Sequence, residues 1–162
     1  MNAAKAIEWA VASTLHAFAD LGPDTTVRPW QSIGADGYWD KNKDRDFPVV
    51  DVRCSSPSEL LPERTRYLDC TILCGTKAQD DKDHSVLSAL YGECERVALA
   101  LYDQACPGDG GAEYTHFEAA LGDQGGAGIS IGGITLGDGV APEAGGAVNM
   151  LGITLRFDYA RL

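Results

Sequence analysis

Asp80, Asp81 and Asp83, with His84 directly behind them, form the densest group of potential metal ligands in the sequence. Carboxylates and an imidazole so spaced could hold a divalent cation and support metal-dependent chemistry. The same three acids stand just ahead of a segment with helical periodicity. There carboxylates accept hydrogen bonds from the unpaired amides of a first helical turn and complement the positive end of its dipole. The reading taken is a helix N-cap cluster, and a small metal-dependent enzyme is the competing one.

Other groupings fail on context. From Asp40 to Asp46 acids and an amide alternate as at the start of a calcium loop, and Asp51 falls at the last ligand place. Arg45, however, occupies the position that needs glycine, and the flanks do not read as helices. Gly128-Ile129-Ser130-Ile131-Gly132 has the spacing of a hydrolase nucleophile motif, which works on a sharp strand-to-helix turn. Ser130 instead lies inside a predicted strand followed by more glycine. His16, His84 and His116 lack metal-ligand spacing, and no phosphate-binding glycine loop is present. Cys54, Cys70, Cys74, Cys94 and Cys106 contain no Cys-x-x-Cys pair and read as buried small hydrophobes. The expectation is a protein with no cofactor, no metal and no catalytic residues.

The elements around these residues are set by apolar period. Ile7, Val11, Leu15 and Phe18 recur at helical spacing, predicting an amphipathic helix over residues 3–21 that Gly22-Pro23 stops. Trp9 falls on its opposite face with Lys5, His16 and Asp20. Residues 22–46 show no sustained period and read as a long loop carrying Trp30, Tyr38 and Trp39. Val50, Val52 and Cys54, then Leu68, Cys70, Ile72 and Cys74, alternate with polar residues and predict two strands. Residues 55–66 between them, with Pro57 and Pro62, read as a turn or a long hairpin tip. Val86, Leu87, Leu90, Cys94, Val97, Ala98 and Leu101 make one continuous helical arc, ended by the glycines at 108–111.

Residues 114–121 fit either a strand or a short helix and are carried forward as an uncertain strand. Ile129 and Ile131 share one parity, Ile134 and Leu136 the other, so a bulge or bend is expected at Gly132-Gly133. Leu151 to Tyr159 alternates as a half-buried strand, and residues 137–146 read as a Gly-rich hairpin loop. The order predicts one domain over residues 1–162. Its fold class is α+β, a mostly antiparallel sheet of four to five strands covered by two helices in two layers.

The formal charge of −11 argues against a basic nucleic-acid-binding face. No apolar run approaches a bilayer span, and the N-terminus lacks a basic stretch followed by an apolar one. A soluble intracellular product with no membrane partner is expected.

Three passages carry a family resemblance. They are the N-terminal helix closed by Gly22-Pro23; Phe47 to Val52, leading through Tyr67 to Thr76 into Asp80-Asp81-Lys82-Asp83 and the second helix; and the closing Leu151 to Tyr159. In this order they resemble the tail-terminator and tail-completion proteins of long-tailed bacteriophages. The resemblance implies a ring of identical subunits, usually a hexamer, that caps the completed tail tube, ends its growth and joins tail to head and neck. Its partners would be further copies of itself, the tail tube protein and the neck or connector proteins. DNA would pass through the lumen without sequence-specific binding. The protein would reside in the virion after assembly in the host cytoplasm. Trp9, Trp30, Tyr38 and Trp39 become candidates for the subunit interface, aromatic residues being enriched in such contacts. Asp138, Val140, Pro142 and Glu143 become candidates for contact with the tube or lumen. Residues 22–46 have no counterpart in the resemblance, and a head-completion or stopper protein of the neck is the alternative.

Overall fold

A computed structural model describes residues 2–29, 47–60, 65–103, 111–126, 128–137, 140–143 and 148–160. Along the chain these form α1 (Ala3–Phe18), β1 (Thr26–Pro29), β2 (Val49–Cys54), β3 (Ser58–Leu60), β4 (Thr65–Lys77), α2 (Ser85–Tyr102), α3 (Gly111–Asp123), β5 (Ser130–Leu136), β6 (Val140–Glu143) and β7 (Val148–Ala160).

The sheet is built on β4 and β7, which pair antiparallel from Thr65 opposite Ala160 to Lys77 opposite Val148. Strands beside them give the order β1-β2-β4-β7-β5, with β3 on β4 and β6 on β7. Among the described residues all pairings are antiparallel except β1 with β2. Because side chains alternate across a strand, Leu68, Cys70, Ile72 and Cys74 share a face with Ile153, Leu155 and Phe157 opposite them. All seven are essentially buried. The three helices cover this face, as Ile7, Val11 and Leu15 of α1, Leu87, Leu90, Cys94 and Val97 of α2, and Phe117 and Leu121 of α3 join the same core cluster. Each such large apolar side chain contributes roughly 1.5–3 kcal/mol on burial. The fold class is α+β, in two layers.

The opposite face is mostly polar. The Thr71 and Thr154 hydroxyls meet at 3.3 Å, and the Arg156 guanidinium sits 4.1 Å from the Tyr67 ring centre. Such cross-strand pairs fix register as well as adding stability. A small second cluster of Val49, Val148 and Met150, with Phe47 and Leu73 against it, closes one end of this face.

Several expectations need correction. Among the described residues the sheet has seven strands rather than four or five, and three helices pack on it rather than two. Residues 114–121 are helical: α3 buries Phe117 and Leu121, four apart, and sets Phe117 against Phe157 with ring centres 5.8 Å apart. Its end is fixed by Gly126 N–H donating to Leu121 O (2.8 Å) and Gly125 N–H to Gly122 O (3.0 Å), with Gly125 left-handed at φ +77°. That pair of bonds is a Schellman closure, which suits glycine because it lacks a Cβ. Residues 26–29 of the predicted long loop form the edge strand β1, and residues 140–143 of the predicted hairpin loop form β6. α1 stops at Phe18, three residues short of the expected end.

Other expectations hold. Register slips between Ile131 and Gly133, so the bulge lies where the parity switch placed it, and it turns Ile131 and Ile134 onto the same core. Within the expected 55–66 turn or hairpin tip, β3 pairs antiparallel with the first residues of β4, and residues 61–64 lie outside the described residues.

Candidate assembly surface

Trp9 sits on a helix whose other side is fully used. Asn2 caps α1 by accepting the Lys5 amide at 3.0 Å, and Ala6, Ile7, Ala10, Val11 and Leu15 are buried in the core. Advancing 100° per residue leaves Lys5, Trp9 and His16 facing outward on the side of the N-cap Asn2, and all four are exposed. Trp9 remains 42% accessible. Val86 and Tyr102 are also large apolar side chains left in solvent, one at each end of α2 and so roughly 24 Å apart at 1.5 Å per residue. Leu136, at the end of β5, is the fourth among the described residues.

This helix is held rigidly at its far end. The last carbonyl of α1, that of Phe18, accepts from the Arg96 guanidinium of α2 at 2.5 Å, and the Asp20 amide donates to Glu93 at 2.8 Å. Arg96 also pairs with Glu93 at 3.2 Å and with Glu113 of α3 at 3.7 Å, so one cation ties three helices. A guanidinium suits the negative end of a helix dipole. Its proximity holds the Glu93 carboxyl below the usual range, and the Asp20 amide acts in the same direction. Ser13 and His116 add a 2.9 Å hydrogen bond between α1 and α3.

The acid cluster divides by role. The 3-10 turn Ala78–Asp80 swings Asp81 inward, where its carboxylate accepts the amides of Val86 and Leu87 and the hydroxyl of Thr76, at 3.0, 3.0 and 2.9 Å. The Asn149 amide of β7 donates to the Asp81 carbonyl at 3.1 Å. Asp81 is thus the cap that docks α2 on the sheet. Asp83 is exposed and bonds only locally to Ser85, whose amide and hydroxyl lower its pKa. Asp80 is exposed. His84 occupies the cap position with φ 61°, without capping through its side chain. Among the described residues no three His, Cys, Asp or Glu side chains converge as a metal site. No protein-family model matches the chain, and no curated protein matches it in sequence.

Two buried acids escaped the sequence reading. Glu8 of α1 is fully buried and accepts the Cys54 amide at 3.0 Å, past the last paired residue of β1. Asp51, the last place in the calcium-loop spacing, is fully buried in β2 and pairs with Arg28 of β1 at 2.7 Å. Glu8 had a signal, since Val11, Ala12 and Leu15 follow it at i+3, i+4 and i+7 on the apolar arc. Arg28–Asp51 had none, because it depends on a parallel pairing that the local pattern does not encode.

The remaining candidates separate clearly. Ser130 lies within β5, its hydroxyl 3.3 Å from the Asp158 carbonyl. Val140, Pro142 and Glu143 belong to β6, where Val140 pairs with Met150 and Glu143 with Val148, rather than to a projecting loop. Trp30, Tyr38, Trp39, Asp138, Cys106 and the 40–46 run lie outside the described residues. No helix among the described residues is long and apolar enough to cross a membrane. An open hollow of about 380 Å³ lies below the end of α1, lined by His16, Asp20, Leu21, Thr25 and Val27 among others.

Proposed function

We propose that this chain is a non-catalytic structural protein of a phage virion, resembling a tail terminator, whose copies close into a ring. The ring caps the tail tube, ends its growth and joins the tail to the neck. The observation that carries this reading is Trp9, a large aromatic side chain held in solvent on a helix that is capped, packed and tied to two others. Ordering an exposed indole on a rigid face favours contact with another molecule, because little conformational entropy remains to be lost there on binding.

Three further features support it. A closed ring needs two different patches that meet head to tail, and exposed apolar side chains occur on separate elements, at Trp9, at either end of α2 and at the end of β5. The acids that could have served chemistry are engaged in holding the fold: Asp81 caps α2, Asp51 pairs with Arg28, and Glu8 takes the Cys54 amide. A net charge of −11 suits a channel through which DNA slides without being gripped.

The test is to add the purified chain to polymerising tail tube protein from the same particle and image the tubes. Tubes capped at one end and no longer extending support the reading. Tubes that grow unchanged, while the chain binds the head-side connector instead, favour a stopper or head-completion protein.

A further inference from the structure

We propose that Cys54 and Cys70 form a dithiol that a small-molecule disulfide converts to a cross-strand disulfide, selectively among the cysteines described. The two residues are direct register partners on β2 and β4. The Ser55 amide donates to Asp69 O at 2.8 Å, which makes Ser55 and Asp69 a hydrogen-bonded pair. Pair types alternate along antiparallel strands, so Cys54 and Cys70 form the non-hydrogen-bonded pair, the closer type at roughly 4.5 Å between Cα atoms. The Cys54 amide points the same way, turning from β4 towards Glu8. That separation falls inside the roughly 4.4–6.8 Å span of disulfides, and both side chains project from the same face.

Access singles out this pair. Cys54 is partly exposed, whereas Cys70, Cys74 and Cys94 are buried. Cys74 and Cys94 also lie within hydrogen-bonding reach of one another, but neither offers a sulfur to solvent. The reaction therefore begins at Cys54. Its thiolate attacks one sulfur of the reagent, forming a mixed disulfide and releasing the first reagent thiolate. The Cys70 thiolate then attacks the Cys54 sulfur, closing the protein disulfide and expelling the second. The two cysteine protons end on the two released reagent thiols, so two cysteines are oxidised and one reagent disulfide is reduced. Contact with Cys70, burial and the nearby Glu8 carboxylate all push the Cys54 thiol up, which makes the first step slow at neutral pH and faster in mildly alkaline solution.

The experiment treats the folded full chain carrying Cys106→Ser with oxidised glutathione at mildly alkaline pH. Free thiols are then alkylated, and the tryptic peptides read by mass spectrometry. The expected product joins the peptide beginning at Cys54 to the one containing Cys70, with Cys74 and Cys94 alkylated on unfolding. Cys74→Ala leaves the cross-link in place, and circular dichroism confirms that each variant is folded. A stable glutathione adduct on Cys54, a cross-link that involves Cys74 or Cys94, or a chain that stays fully reduced overturns the proposal.

Discussion

Replacing Asp81 with alanine removes the acceptor for three donors at once: the amides of Val86 and Leu87 and the hydroxyl of Thr76. Loss of a helix N-cap costs about 1–2 kcal/mol. A buried hydroxyl left without its acceptor costs roughly 1–3 kcal/mol more. The expected loss is therefore about 3 kcal/mol, a large share of the roughly 5–15 kcal/mol by which such domains are stable. Asp81→Asn keeps one acceptor oxygen but loses the charge at the positive end of the dipole, so it should fall between wild type and Asp81→Ala. Urea unfolding followed by circular dichroism measures this, with the midpoint moving and the slope unchanged. Asp80→Ala and Asp83→Ala are the controls, since both side chains are exposed and neither holds α2 to the sheet. A loss below about 1 kcal/mol for Asp81→Ala, or one matched by Asp80→Ala, would refute the assignment of Asp81 as the structural cap.

Other predictions follow from the same geometry. The Glu93 carboxyl is held below the ordinary glutamate value of 4.5, so its contribution is present above that pH and is lost as pH falls through the lower folded value. Glu93→Gln should flatten the decline in stability below pH 4.5, and parallel declines in acid titrations of the two proteins would count against it. A Cβ on Gly137 would lie 2.0 Å from the Gly152 carbonyl oxygen of β7, which cannot move without disturbing the sheet. Gly137→Ala should therefore destabilise by about 1–3 kcal/mol in thermal unfolding. At Gly132 the clash is with the Asp158 carboxylate, which can rotate away, so Gly132→Ala should be the milder change. Trp9→Lys should leave the melting temperature of the monomer nearly unchanged while lowering self-association, as sedimentation velocity would report.

The parts of the fold read correctly from the sequence are those whose pattern is local and long. β4, β7 and α2 carry uninterrupted apolar periods, and the parity switch around Gly132-Gly133 marks its own bulge. α3 was missed because only Phe117 and Leu121 are buried on it, too few to separate a helical from an alternating pattern. Gly125 in the closing turn was the better signal, as the left-handed residue of a helix end. β1 and β6 are short, contain Pro29 and Pro142, and exist because a neighbouring strand pairs with them. The acid cluster was legible as a helix cap, but the turn that selects Asp81 over Asp80 and Asp83 depends on Thr76 and Asn149, which reach it from the sheet. The outward position of Trp9 followed from helical phase alone.

If copies of this chain act as a ring at one place in a virion, their copy number and position in assembled particles are fixed. Quantitative mass spectrometry against internal standards, combined with a tagged chain located by electron microscopy, gives both. A ring requires a fixed small multiple, six for a hexamer, at the junction of tail and neck. A single copy per particle, or copies spread along the tail, would contradict it.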